Sequence, residues 1–185
     1  LQRDLRPFTL TPDHLWTVRS PGAGYRTMPV SELRARGLRE RLGHRWFVPT
    51  VAPVQFDQAT VLPLDAYALG LLLGDGCFRS GQTTFTTQDE VCITVLRTVL
   101  PHGVTVEQRS RLTWGITAGQ RGGQKNPLTE ILRTLGLWGK KSEGKFVPSC
   151  YLTATVADRL AMLQGLLDSD GHISKKERKI EYTTV

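Results

Sequence analysis

The strongest constraint in the sequence is a repeat. Residues 64–76 read LDAYALGLLLGDG and residues 157–171 read ADRLAMLQGLLDSDG. With Gly76 set on Gly171, Asp75 falls on Asp170, Gly74 on Ser169, Gly70 on Gly165 and Ala66 on Ala161. Each copy is an apolar helical segment with small residues at i, i+4 and i+8, which share one helix face. A face without bulk lets two helices approach to backbone contact, the geometry that small-xxx-small pairs use between membrane helices. Each segment ends in Asp-Gly. If the two faces meet in parallel, Asp75 and Asp170 arrive side by side, and carboxylates forced together share a proton or bind a cation. Ordinary buried helices with glycine C-caps are the plain alternative, but such helices rarely give up bulk at three matched positions.

Residues 68–76, ALGLLLGDG, and 163–171, LQGLLDSDG, resemble the LAGLIDADG signature of homing endonucleases. The two acidic positions lie 95 residues apart, with strand-like sequence between them. The resemblance implies an α+β fold built from an αββαββα half and its counterpart. It also implies hydrolysis of phosphodiester bonds in double-stranded DNA. By the same resemblance Asp75 and Asp170 would be catalytic and would hold Mg²⁺, a hard cation that prefers oxygen, aided by backbone carbonyls near Gly74 and Ser169. Magnesium there would activate water and stabilise charge on the phosphate. Cuts on both strands would cross the minor groove.

The chain divides into a β-rich region at 1–56, a linker at 57–63 and the repeat-bearing domain at 64–185. In the first, Phe8, Leu10, Leu15, Trp16 and Val18 mark a strand-turn-strand, and Pro21, Gly22 and Gly24 turn the chain into Tyr25–Met28. Ser31 to Arg41 reads as a short basic helix with Ser31 as N-cap and Gly43 beyond its end. Pro49 and Pro53 make residues 45–56 an edge strand or an extended connection.

In the second domain Phe78 to Thr87 alternates as a strand, with Phe85 toward the helices and Gln82, Thr84 and Thr86 away. Asp89 to Val99 is helical, with Val91, Val95 and Val99 on one side and Pro101 and Gly103 to stop it. Val104 and Val106 alternate with Thr105 and Glu107, and Leu112, Trp114 and Ile116 with Arg111, Thr113 and Thr117, giving two strands joined through Arg109 and Ser110. Residues 119–126, GQRGGQKN, form a basic loop. A helix follows from Pro127 to Leu137, with Asn126 as N-cap and Pro127 at its first position.

A sheet with one apolar face and one face of Thr, Gln and Arg suits a DNA groove: the apolar side packs on helices while the polar side meets bases and phosphates. The candidate DNA contacts are Arg79, Gln82, Thr84, Thr86, Arg109, Arg111, Thr113, Lys125, Lys175, Lys176 and Arg178. A solvated sheet face is the plain alternative, since threonine favours strands for its own reasons.

Two further elements resemble parts of inteins. Thr11 and His14, in FTLTPDHLWTV, match the T-x-x-H element of splicing domains, and would polarise the upstream splice junction for an acyl shift. An imidazole able to protonate a leaving amide nitrogen suits that task. Thr11-Pro12-Asp13 is also good turn chemistry. Lys145, in KKSEGKFVPSCYL, matches the lysine of the K-x-h-P element before the second signature. By resemblance it would be catalytic, orienting water or balancing charge on the scissile phosphate; the plain alternative is a solvated lysine. The family's first nucleophile and its terminal His-Asn are absent, so splicing would not be complete in this chain. Leu1 in place of an initiator Met reads as an excised piece or fragment. Only a short stretch after Gly171 would begin the second half's sheet, which makes that half incomplete. A host protein flanking the segment is the implied partner, and a complete chain with two halves would be monomeric.

Composition narrows the partners. Lys and Arg number 24 against 17 Asp and Glu, for a net charge of +7, and that excess favours a polyanion. Cys77, Cys92 and Cys150 form no C-x-x-C pair and no even set. The expectation is a reducing, cytoplasmic setting with neither a disulfide framework nor a zinc site. The apolar runs are too short to span a bilayer, and no signal peptide is expected.

Two other function classes compete. A DNA- or RNA-binding regulator or maturase would use the same scaffold without cutting. A calcium loop would place Asp168, Asp170, Gly171, Ile173 and Glu177 at loop positions 3, 5, 6, 8 and 12, but its first ligand position would be Leu166, which has no oxygen to give.

Overall fold

The computed structural model describes residues 9–41, 43–56, 61–79, 81–118, 125–174 and 179–183. The chain forms two compact units, Leu1–Pro53 and Val54–Val185.

In the first unit, β1 (Leu15–Val18) pairs antiparallel with β2 (Arg26–Pro29), Trp16 opposite Met28. Val18, Met28 and Leu33 make a small core, with Trp16 and Trp46 against it. Helix α1 (Val30–Ala35) leaves β2 directly, and Pro29, not Ser31, stands at its N-cap with no side-chain hydrogen bond. The backbone supplies the missing acceptors: Val30 N–H donates to the His14 carbonyl and Ser31 N–H to that of Pro12. Two of the orphan donors of a helix start are thereby satisfied by the turn at 11–14.

The helix also ends earlier than the expected Arg41. Gly37, at φ +82°, takes the chain into the left-handed region that stops helices. Residues expected to continue the helix instead form β3 (Arg39–Glu40), which pairs with β4 (Gly43–His44).

The second unit runs α2 (Ala66–Asp75), β5 (Gly76–Cys77), β6 (Thr83–Thr86), α3 (Glu90–Val99), β7 (Val104–Gln108), β8 (Thr113–Ala118) and α4 (Pro127–Thr134). This is the order α-β-β-α-β-β-α. A 3₁₀ turn (Ser142–Gly144), α5 (Ser149–Leu152), α6 (Val156–Asp170), β9 (Gly171–Ser174) and β10 (Lys179–Tyr182) follow. The four strands β5 to β8 form one antiparallel sheet in the order β5-β6-β8-β7. β9 and β10 form a separate antiparallel hairpin.

Polar side chains start the helices. Asp65 accepts from Ala68 N–H, Asp89 from Val91, Asn126 from Leu128 and Thr155 from Asp158, each satisfying one donor. Leu69, Leu71 and Leu72 of α2 are fully buried with Phe78, Phe85, Ile93, Leu96, Ile116, Leu128 and Leu132. Each such leucine contributes about 2 kcal/mol by leaving water. α2 is apolar all round because it lies inside the unit, between α6 and the remaining elements.

The buried face of α3 differs from the expected valine stripe. Cys92, Ile93 and Leu96 are buried, while Val91 is 66% exposed. The sequence carries two overlapping apolar rows one residue apart, and the bulkier set of Ile93 and Leu96 wins the core.

The three cysteines are free. Among the described residues no helix is long and apolar enough to cross a membrane.

Candidate active site

The two repeat helices meet along the small-residue strip. A Cβ added to Gly70 would lie 3.0 Å from the Gly165 Cα and would strike the Met162 carbonyl. One added to Gly165 would strike the Tyr67 carbonyl and lie 2.9 Å from Leu71 N. These are backbone contacts, so any side chain at either glycine must push the helices apart. At the next position the copies differ usefully. Gly74 leaves the space that the Ser169 side chain fills, and a Cβ there would also come 3.1 Å from Asp170 Oδ2. Ser169 Oγ turns back to donate to the carbonyls of Gly165 and Leu166.

Asp75 is the last residue of α2 and Asp170 the last of α6. The helix ends are not left-handed glycine caps: Gly76 (φ −79°, ψ 148°) and Gly171 (φ −81°, ψ 151°) are extended and enter strands at once. A Cβ on either would collide with its own helix, at the carbonyl of Leu72 or Leu167. Glycine is required because the strand folds back over the last helical turn.

Both aspartates line one open cavity of about 520 Å³, together with Ser142, Glu143, Lys145, Phe146 and Tyr182. Asp75 also lines a second cavity with Thr86, Gln88, Asp89 and Asp168. Burial, and next the charge of Asp170, push the Asp75 carboxyl above its ordinary value, while Lys145 pulls the other way. Lys145 itself is lowered, chiefly by burial, against the charges of Asp170, Cys77 and Asp75. A carboxylate pair held in repulsion beside a half-buried ammonium is a site whose charge is incompletely neutralised by the protein.

Lys145 reaches the site from 73 residues beyond Leu72 and lies over the Phe78 ring, with Nζ 4.9 Å from its centroid. Its Nζ is 2.6 Å from the Gly76 carbonyl oxygen, 2.8 Å from that of Leu73, 3.2 Å from that of Gly74 and 3.3 Å from that of Leu72. The lysine is therefore no solvated side chain. Its segment is anchored by Gly139 N–H to the Phe78 carbonyl.

The polar face of the four-stranded sheet gathers several of the expected contacts. Thr84 pairs with Gly115 and Thr86 with Thr113. Gln82 and Arg109 converge over Gly115: a Cβ there would lie 2.5 Å from Gln82 Nε2 and 2.7 Å from Arg109 Nε. Arg79 and Arg111 are exposed. Lys125 stands at the start of α4, 3.8 Å from Glu130. Lys175, Lys176 and Arg178 lie outside the described residues. Thr11 and His14 lie in the other unit, in the turn that caps α1.

Sequence reasoning did not single out Tyr67, whose hydroxyl donates to Asp168 Oδ2 at 2.8 Å and ties α2 to α6. Glu143 was missed as well, although it stands two residues before Lys145.

The comparisons with known proteins bear on the second repeat. A LAGLIDADG-like domain is found at residues 157–185. That LAGLIDADG-like match takes in α6 from its second residue, β9 and β10, and contains the Asp170 copy of the repeat. The chain is also similar to protein RecA of Mycobacterium tuberculosis, 26% identical over 140 residues, which is 70% of this chain and 18% of that protein. Protein RecA of Mycobacterium bovis matches to the same extent. The replicative DNA helicase DnaB of Rhodothermus marinus is 29% identical over 136 residues, 68% of this chain and 14% of that protein. The chain thus spans less than a fifth of the length of these relatives.

Proposed function

We propose that this chain is the endonuclease portion of an intein, cutting double-stranded DNA with magnesium at the Asp75–Asp170 pair. The observation that carries this reading is the pair itself: two carboxylates delivered to one cavity by helices that meet at their glycines. The α-β-β-α-β-β-α order of the second unit, its α+β class and the start of a second copy in β9 and β10 support the LAGLIDADG endonuclease fold.

The donors fit a hard dication. Asp75 and Asp170 offer carboxylate oxygens, the carbonyls of the preceding residues Gly74 and Ser169 would assist them, and the burial and Asp170 charge that raise Asp75 are what a cation offsets. Two protein carboxylates leave room for water and phosphate oxygens, as magnesium prefers. Bound there, the metal would supply Lewis-acid stabilisation of the phosphate and a more acidic water. The chain's own residues hold the two carboxylates together, exclude bulk from the helix seam and offer a polar sheet face. Thr84, Thr86, Thr113, Gln82 and Arg109 would face the bases and phosphates, and Arg79, Arg111, Lys125, Lys175, Lys176 and Arg178 would add a salt-sensitive share of affinity.

The intein setting is supported by the shape of the matches. Matches of similar length are found to two proteins of different name and occupy a small part of each, as an inserted element would. In that setting Thr11 and His14 would act at the upstream junction of a host protein.

The test is cleavage of a plasmid library of candidate insertion sites with and without magnesium. Asp75→Asn and Asp170→Asn should lose cleavage while keeping DNA binding. Wild-type cleavage in both variants would overturn the metal role. Tight, specific binding without cleavage in the wild type would favour the regulator or maturase reading.

A further inference from the structure

Lys145 sits at the C-terminal end of α2 in a cage of backbone oxygens. Four carbonyls, those of Leu72, Leu73, Gly74 and Gly76, lie within 3.3 Å of its Nζ. An ammonium has three protons, so each is taken by the chain and none is left for a phosphate. The last carbonyls of a helix have no partner within it, and they carry the negative end of the macrodipole. Leu72 already accepts from Gly76 N–H, but among the described residues no backbone donor from the following strand serves Leu73 or Gly74. Asp75, a negative group at that negative end, makes the terminus less stable still. At the end of α6 Ser169 donates to the carbonyls of Gly165 and Leu166.

We propose that Lys145 is a positioning residue: it caps α2 from a distant segment, fixes the turn that carries Asp75, and acts on the reaction only through that carboxylate. The part of this that concerns metal binding rests on the reading above. The sign of the effect on cation binding separates the two roles of Lys145. Removing a positive charge beside two carboxylates should tighten a cation by Coulomb attraction alone. If Lys145 instead holds Asp75 in place, its loss must weaken the cation.

The experiment uses the full chain as wild type, Lys145→Met, Lys145→Ala and Asp75→Asn, with two readouts. The first is amide hydrogen exchange over 72–77, free of metal and DNA. Lys145→Met should exchange there at least tenfold faster, with 167–172 unchanged. The second is Tb³⁺ luminescence, with Tb³⁺ as an oxygen-seeking probe of the carboxylate pair. Its affinity should fall about tenfold in Lys145→Met and further in Asp75→Asn. Methylammonium should restore both readouts in Lys145→Ala, which also shows that the variant is folded. Unchanged exchange over 72–77 would overturn the cap. Faster exchange with equal or tighter Tb³⁺ binding would overturn the positioning role and return Lys145 to the phosphate. If the wild type itself binds no Tb³⁺, the metal reading fails, and the exchange rates and their rescue alone decide the cap.

Discussion

Gly70 and Gly165 stand so close that a Cβ on the first would lie 3.0 Å from the Cα of the second. The helix seam of the second unit is built on this approach, and it has no slack. Gly165→Leu would drive a side chain into the Tyr67 carbonyl and the Leu71 amide. We expect loss of at least about 3 kcal/mol, at the upper end of overpacking in a core, or failure of the unit to fold. Thermal unfolding followed by circular dichroism checks this, and an unchanged Tm would show that the seam can open freely.

The bond from Tyr67 to Asp168 crosses the same seam. Tyr67→Phe removes the donor and keeps the ring. Because the carboxylate stays exposed enough to find water, the expected loss is about 1 kcal/mol, read from urea unfolding. The phenol is held well above its usual range by burial and by that carboxylate. Tyr67 should therefore stay un-ionised in a spectrophotometric titration well beyond the range where exposed tyrosines titrate.

Tyr151 is a deeper case. Its hydroxyl donates to the Leu64 carbonyl at 2.8 Å and accepts from Leu64 N–H at 3.2 Å, and the residue is 1% exposed. Burial first of all pushes its pKa up to about 12. Tyr151→Phe leaves a buried donor and acceptor without partners, so the expected loss is about 2–3 kcal/mol, clearly more than for Tyr67→Phe. Equal losses for the two variants would refute the difference in burial as its cause.

Asp75 gives a dependence on pH. Its carboxyl is raised in the folded chain, so between the ordinary aspartate value of 3.8 and the higher folded value the native state binds more protons than the unfolded one. Stability must then fall as pH rises through that window, and the penalty is fully present above it. Asp75→Asn removes it. The variant should gain a few degrees of Tm at pH 7, lose the gain as the pH is lowered toward the ordinary aspartate value, and bind magnesium no longer. A destabilised Asn variant at pH 7 would show that the Lys145 attraction outweighs burial and Asp170 together.

Magnesium should act in the opposite sense to protons. If it binds the pair, it should raise the wild-type Tm at pH 7.5 by more than at a pH low enough to begin protonating Asp75. The shift should vanish in both Asn variants. Equal shifts at the two pH values would place the ion elsewhere.

The sequence alone determined the helix pair, its small-residue seam and the aspartates at its tips, because spacing along a helix fixes which residues share a face. Alternation likewise marked β7, β8 and which side of the sheet is polar, but the single strand expected over 78–87 is β6 (Thr83–Thr86) alone, with β5 (Gly76–Cys77) formed where α2 ends. What it could not decide were choices between competing local options. The end of α1 turned on a glycine at positive φ and on carbonyls of the 11–14 turn, and the face of α3 on which of two apolar rows met the core. The role of Lys145 was equally hidden: nothing in a short lysine motif says that its ammonium will end among four carbonyls from 69 to 73 residues upstream. Such partners are chosen by packing, since only the folded chain brings unpaired helix carbonyls and a buried cation to one place.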